Sequence, residues 1–136
     1  MTRISEEVAN AGLDAGLDLI DVGTGDNGTL ELRTGSAPTN ISDAATGTLL
    51  VTIDLADPAF GSANSGSASA NGTPLEGTAV DDGTIGYGRV LDADGNARLD
   101  ESDVGTSGNN ITVNTTDVVS GATVTVNSFT VSQPFN

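Results

Sequence analysis

The chain has 136 residues, with 19 acidic side chains against four arginines and no lysine, which gives a formal net charge of −15 at pH 7. It holds no cysteine and no histidine, so disulfides, thiolate catalysis, histidine general bases and the usual zinc ligand sets are excluded. Because the negative charge repels phosphate groups and anionic lipid headgroups, we expect no nucleic-acid partner and no membrane partner.

Residues 5–20 predict an N-terminal helix that begins at the capping residue Ser5 and has acidic residues in its first turn. The apolar stripe expected to be buried consists of Ile4, Val8, Ala11, Ala15 and Leu19, widened by Leu13, Leu17 and Ile20. Gly12 and Gly16 add a face of small residues. Since such a helix is marginal alone, we expect it to dock on a neighbouring copy or a partner protein. The alternative is that it closes an open end of the β domain within one chain.

Two regions follow from this pattern: residues 1–28 form the helix and a turn-rich linker, "DVGTGDNG" at 21–28, and residues 29–136 form a β domain. Short strands are predicted at 29–34, 48–55, 84–91, 110–116 and 122–133, while 61–74 fits a weak strand and a loop equally well. Short strands with Gly-, Asn- and Asp-rich turns are typical of sandwiches. We therefore expect a mainly β fold, an antiparallel β-sandwich of jelly-roll or immunoglobulin-like type with one N-terminal helix.

Alternation of apolar residues predicts which face of each strand points inward. The inward residues are Leu49, Val51, Ile53 and Leu55 in the second strand, Ile85, Tyr87 and Leu91 in the third, and Ile111 and Val113 in the fourth. In the last strand the apolar residues change parity, from Val124 and Val126 to Phe129 and Val131. A change of parity within one strand indicates a β-bulge, which we place near residues 127–128.

The segment "RVLDADGNARLDESD" concentrates side-chain oxygens and is the candidate metal site. Counted from Asp92 as position 1, Asp94 and Asn96 occupy positions 3 and 5 of a calcium-binding loop, but the glycine stands at position 4 instead of 6, and an aspartate replaces the usual glutamate at position 12. "DG" between two strands favours a hairpin instead, because Gly95 accepts the positive φ of a type I′ turn. We therefore expect a hairpin and no cofactor, and keep Asp92, Asp94 and Asn96 as weak metal candidates.

Paired carboxylates are the one arrangement in the sequence that suits hydrolytic chemistry, and they occur at Asp81 with Asp82 and at Asp100 with Glu101. Adjacent acids on a surface are usually solvated charge, and no aromatic platform for a sugar accompanies these pairs. We expect no enzymatic activity and no catalytic residue. The start of the sequence, "MTRISEEVANAG", also lacks the apolar run of a signal peptide.

Two long segments carry a family resemblance. Residues 30–61, "LELRTGSAPTNISDAATGTLLVTIDLADPAFG", contain a "TGS.P" turn, "ATGTLL" before a strand, and "DPAFG". Residues 88–134, "GRVLDADGNARLDESDVGTSGNNITVNTTDVVSGATVTVNSFTVSQP", contain a "DGN" hairpin, "VGTSG" and "VSGATVTVNSFTV.QP". In order and spacing, these elements resemble small virion structural proteins encoded in the head, neck and tail gene blocks of tailed viruses. Residues 62–83 and the acidic "DESD" segment depart from the pattern.

The resemblance implies an N-terminal helix, a small β-sandwich and a non-enzymatic role in the virion, which is assembled in the host cytoplasm. We expect a capsid-surface decoration or turret component that forms a homo-oligomer and binds the major capsid protein or the neck and tail proteins. A neck or tail structural protein is one alternative. A receptor- or carbohydrate-binding module is another; it would need exposed aromatic side chains, and the chain has only Phe60, Tyr87, Phe129 and Phe135.

The high negative charge predicts stability that depends on salt. Mutual repulsion of the acids destabilises the compact chain in dilute buffer, whereas the screening length falls to about 3 Å near 1 M salt. A lysine-free acidic chain is what a high-salt cytoplasm favours, so we expect a halophilic host; the alternative is an acidic protein of an ordinary host. The melting temperature, followed by circular dichroism, should rise by many degrees between low and molar KCl. A melting temperature that is indifferent to KCl would contradict the halophilic interpretation.

Overall fold

The computed structural model describes residues 2–24 and 27–135, and it shows a mainly β protein with one N-terminal α-helix. Helix α1 (Glu6–Asp18) continues into a 3₁₀ turn (Leu19–Asp21). The strands are β1 (Thr29–Arg33), β2 (Leu49–Asp54), β3 (Ser67–Ser69), β4 (Leu75–Thr78), β5 (Gly83–Thr84), β6 (Tyr87–Leu91), β7 (Ala97–Glu101), β8 (Val104–Gly105), β9 (Ile111–Val113), β10 (Asp117–Val118) and β11 (Thr123–Ser132). Of the linker predicted at 21–28, residues 25 and 26 lie outside the described residues.

The strands form two main layers around one hydrophobic core. The first sheet has the order β2-β1-β6-β7, and the second has the order β3-β11-β9-β8 with β4 also paired to β11. A two-stranded ribbon of β5 and β10 lies beside them. The pairings are antiparallel except for β8 with β9, which run parallel. This arrangement confirms the predicted mainly β, sandwich-like fold with a single N-terminal helix.

The bulge in β11 lies where the change of parity predicts it. Val126 is opposite Val113 in β9, whereas Ser128 is opposite Thr112, so the register shifts across Asn127. The bulge allows residues of different parity in β11 to be buried on the same face. These residues are Val124 and Val126 before the bulge and Phe129 after it. The Phe129 ring then packs edge-on against Phe60, with ring centroids 5.1 Å apart.

The predicted inward face of the third strand is wrong for β6. Val90 and Gly88 lie opposite Leu30 and Leu32 of β1, and it is they that face the core between the sheets. Tyr87 lies on the other face, yet it is fully buried. Its hydroxyl donates to the Thr46 carbonyl at 2.8 Å and accepts from the Thr46 N–H at 3.0 Å. Both faces of β6 are buried, so the alternation of apolar and polar residues along this strand does not identify which face points to the core between the sheets.

Residues 61–74, which fitted a strand and a loop equally well, contain the short strand β3 within turns. Strand β4 follows directly and was not predicted, because "LEGT" shows no apolar alternation. Gly77 fixes β4 against the first sheet: a Cβ atom there would lie 2.8 Å from Cγ2 of Val51. The absence of a side chain thus allows β4 to approach β2 closely.

Helix α1 packs on its own chain. Ser5 caps it as predicted, with its Oγ accepting from the Val8 N–H at 3.2 Å. The buried stripe, however, consists of Ala9, Leu13, Leu17 and, in the 3₁₀ turn, Ile20. The predicted positions of Val8 and Leu19 are wrong, since these side chains are 55% and 44% exposed, whereas the predicted burial of Leu13, Leu17 and Ile20 is confirmed. Ala11 and Ala15 of the predicted stripe are exposed, so the buried face lies toward Ala9, Leu13 and Leu17. Among the described residues, no helix is long and apolar enough to span a membrane.

Polar side chains fasten the helical segment to the loops around β3. Asn10 Oδ1 accepts from the Gly66 N–H at 2.8 Å, and Asp14 Oδ1 accepts from the Ala63 N–H at 2.7 Å. Asp21 Oδ1 accepts from the Ala59 N–H at 2.9 Å. These loop amides need acceptors, and the helical segment provides them. The buried side of the helix therefore packs within its own chain, in agreement with the alternative that the helix belongs to the β domain.

Truncation of Leu17 should test this contribution of α1. Leu17 is 7% exposed and belongs to the core, so Leu17→Ala should lower the free energy of unfolding by about 2–4 kcal/mol. Val8→Ala, on the exposed side of the same helix, should change it by less than about 0.5 kcal/mol. Urea unfolding in molar KCl measures both. Equal effects of the two substitutions would show that the helix does not contribute through this stripe.

Candidate functional site

The candidate metal residues lie in the hairpin between β6 and β7. The Asp92 N–H donates to the Asn96 carbonyl at 2.9 Å, and the Gly95 N–H donates to the Asp92 carbonyl at 3.0 Å. Gly95 has a φ of +88°, whereas Asp94 has no positive φ. The loop therefore has three residues with glycine in the left-handed position. The predicted hairpin is confirmed, but the two-residue type I′ turn is wrong.

The Asp92 carboxylate organises this turn and explains the longer loop. Its Oδ1 accepts from the backbone N–H groups of Asp94 and Asn96, both at 2.9 Å. Its Oδ2 accepts from the Asn96 amide at 3.2 Å and lies 2.8 Å from Nη2 of Arg98. The residue is 3% exposed. Protein donors thus surround both oxygens, and Arg98 is the counter-ion.

The other two candidates also act as hydrogen-bond partners. Asp94 Oδ1 accepts from the Thr24 N–H at 3.1 Å, which ties the hairpin to the segment after α1. Asn96 donates to Asp92 as described. Within residues 2–24 and 27–135, no group of three or more acidic side chains is placed to hold a metal ion.

A second ion pair joins β6 to β7, and sequence reasoning did not single it out. Arg89 binds Asp100 through two hydrogen bonds, Nε to Oδ1 at 2.7 Å and Nη2 to Oδ2 at 3.0 Å. Nη1 of Arg89 donates to the Asp43 carbonyl at 2.9 Å. The bond to Asp100 raises the pKa of Arg89 above its usual value, although burial acts in the opposite direction. The sequence signal that could have identified this ion pair is an arginine within an otherwise apolar strand.

Both nominated carboxylate pairs take part in hydrogen bonds that connect loops and strands. Asp100 is held by Arg89, and Glu101 accepts from the Asn110 amide at 3.0 Å and from the Asp103 N–H at 3.1 Å. Asp82 accepts from the Ser120 N–H at 2.7 Å, so this acid closes a turn. These carboxylates hold loops in place.

The acidic segment after β7 fixes the following loop. Asp103 Oδ1 accepts from the Asn109 amide at 2.7 Å, and Oδ2 accepts from the Asn110 N–H at 3.0 Å. These bonds to Asn109 and Asn110 lower the pKa of the exposed Asp103 carboxyl below its usual value. The "DESD" stretch is therefore a structural element of the β7–β9 connection.

An apolar groove runs beside β7. Its walls include Gly12, Gly16 and Leu19 of the helical segment, Ile41 of the loop between β1 and β2, and Leu99 of β7, and its volume is about 420 Å³. Leu19 and Ile41 are 44% and 41% exposed. A Cβ atom at Gly12 or Gly16 would meet nothing within 4 Å. The helix side of the groove is therefore open.

The aromatic side chains are mostly inside. Phe60, Tyr87 and Phe129 are buried, and Phe135 is 37% exposed near the end of the chain. A flat aromatic platform, which sugar-binding surfaces use, would have to be built from Phe135 alone.

Comparison with protein-family models, with curated proteins and with solved structures finds nothing that matches this chain. The resemblance to virion structural proteins accordingly stays a prediction.

The left-handed turn position gives a test of the hairpin. Gly95→Val should lower the free energy of unfolding by about 1–2 kcal/mol, because a β-branched residue is strained at a φ of +88° although space for its side chain exists. Gly12→Ala is the matched control: it lies in open space on a helix and should raise stability by about 0.5–1 kcal/mol. Urea unfolding would contradict the assignment if Gly95→Val matched the parent chain.

The Asp92 carboxyl gives a test by pH. Burial acts to raise its pKa, but the hydrogen bonds from Asn96, Arg98 and Asp94 outweigh burial and hold the pKa of Asp92 below its usual value. Its contribution to stability is therefore present above the unfolded-state pKa of about 3.9 and is lost as pH falls through the lower folded-state value.

Asp92→Asn removes this titration. The free energy of unfolding should be higher for the parent chain than for Asp92→Asn. This difference should be largest near neutral pH and should decrease below about pH 4. Urea unfolding at a series of pH values in constant KCl measures it. A margin independent of pH would mean that the ionised carboxylate is not what stabilises the turn.

Proposed function

We propose that this protein is a non-enzymatic structural component of a tailed-virus particle, placed on the capsid surface as a decoration or turret component. In this role it forms a homo-oligomer and binds the major capsid protein. The observation that carries the proposal is the use of its carboxylates. Asp14, Asp21, Asp92 and Asp100 accept hydrogen bonds from loop amides or arginines and thereby brace a small sandwich.

This bracing suits a particle component because such a part must keep its shape while it contacts neighbours. The loops of the sandwich are anchored by side chains far away in sequence: Asn27 Nδ2 donates to the Leu55 carbonyl at 2.9 Å, and Tyr87 holds Thr46. Two sheets and a docked helix share one core. A compact, internally fastened domain of this kind presents a fixed surface to a lattice of partners.

The surface charge fits the same role in a salt-rich host. A net charge of −15 keeps separate chains apart in solution, and molar salt screens it so that apolar contacts can form. A halophilic tailed virus is the setting in which both properties are useful.

A neck or tail structural protein is the second candidate, since the same rigidity serves those positions. A receptor- or carbohydrate-binding module is less well supported, because three of the four aromatic side chains are buried in the core or beneath a loop.

Quantitative mass spectrometry of purified particles of the encoding virus tests the proposal. Isotope-labelled chain serves as the internal standard, and the major capsid protein sets the number of copies per particle. Hundreds of copies would support capsid decoration, and a dozen or fewer would move the protein to the neck or tail. Failure to find the chain in particles would overturn the virion role.

A further inference from the structure

Strand β7 is an open edge of the first sheet. It pairs with β6 on one side, and among the described residues no strand pairs with its other side. Such an edge presents backbone N–H and C=O groups that can pair with another chain. The apolar groove lies along the same strand, since Ala97, Arg98 and Leu99 form part of its wall. Backbone donors and apolar surface therefore coincide here.

A row of alternating charges crosses the first sheet and stops at this edge. Glu31 of β1 is opposite Arg89 of β6, and Arg89 is opposite Asp100 of β7. Residues directly opposite one another lie on the same face, and opposite charges in such pairs stabilise a sheet. The row therefore alternates acid, base and acid. A strand that paired with the free edge of β7 would continue the alternation if it placed a basic side chain opposite Asp100.

A second copy of β7 provides that base in only one of the central registers. Antiparallel pairing about a twofold axis at Leu99 places Arg98 opposite Asp100 of the second copy, and the reciprocal pair forms by symmetry. Arg98 also binds Asp92 and Asp100 also binds Arg89 within each chain, so the new pairs extend charge clusters that already exist. Leu99 then meets its own counterpart. An axis at Arg98 or at Asp100 would instead oppose like charges, which destabilises a sheet.

We infer that β7 is a homodimer interface, in which two copies pair antiparallel with Leu99 on the twofold axis. The inference deepens the proposed function by naming the surface and the partner of the self-association. Strand pairing alone covers a small area, and the groove with its exposed rim, Leu19 and Ile41, adds apolar surface to it.

The pairing closes after two chains. The opposite edge strand of the first sheet, β2, already lies against β4, so the dimer has no equivalent edge on which a third copy would add. Two chains of charge −15 repel each other in dilute buffer, so dimerisation requires molar salt, whereas the contact pairs of Arg98 with Asp100 are short-ranged and persist there.

Single cysteines test the register, because the chain has none of its own. In molar KCl under mild oxidation, Leu99→Cys should form a disulfide-linked dimer on a non-reducing gel, since a residue on the axis meets itself at a Cβ distance of about 5 Å. Ala97→Cys should not, because Ala97 is away from the axis and lies beyond the register shift of β7 at Arg98. Ser69→Cys, at an exposed position of strand β3 in the other sheet, is the control and should stay uncrosslinked.

Light scattering of the unmodified chain in molar KCl should give twice the 13.5 kDa of one chain. Arg98→Glu should weaken the dimer about tenfold or more, because both cross-strand pairs become repulsive. Asp92→Asn, which alters the Arg98–Asp92 pair but leaves Arg98 in place, is the matched control and should stay dimeric. A chain that stays at 13.5 kDa, or crosslinking that is equal at Leu99, Ala97 and Ser69, would overturn the β7 interface. Either result leaves the copy number in particles to decide the virion role separately.

Discussion

The buried guanidinium of Arg89 determines how the first sheet is covered. One ion pair with Asp100 joins β6 to β7, and one bond to the Asp43 carbonyl holds the loop between β1 and β2 over the outer face of the sheet. Because a buried charge without its partner is costly, these contacts have to form together. Tyr87 then fits beneath the same loop and bonds Thr46. The outer face of the first sheet, which the alternation of apolar and polar residues would leave exposed to solvent, is thereby buried beneath this loop.

Carboxylates have the corresponding role elsewhere in the chain. In a protein with 19 acids and four arginines, most acids have no cation to pair with, and backbone N–H groups are the alternative donors. Asp14 and Asp21 accept from loops near β3, and Asp92 accepts within the hairpin. The acidic composition is therefore part of the folding mechanism as well as a property of the surface.

Features that depend on local sequence were predictable, whereas features that depend on tertiary packing were not. Ser5 at the helix start, the hairpin at Gly95 and the bulge in β11 follow from short-range geometry. The buried stripe of α1 was partly misassigned, because several faces of this helix carry apolar residues. The type I′ turn was wrong because the Asp92 carboxylate favours the longer loop. Of the site, the oxygen-rich hairpin was recognised, whereas the groove joins residues from three distant segments and has no signature along the chain.

The position of Tyr87 has a consequence for spectroscopy. It is the single tyrosine, and the chain has no tryptophan, so near-ultraviolet absorbance and fluorescence arise chiefly from one place in the molecule. That place is the contact between β6 and the loop that carries Thr46. Tyr87 is thus an intrinsic spectroscopic probe. Its signal reports separation of this loop from the sheet without an added label, and it can be compared with a separate measurement of global unfolding.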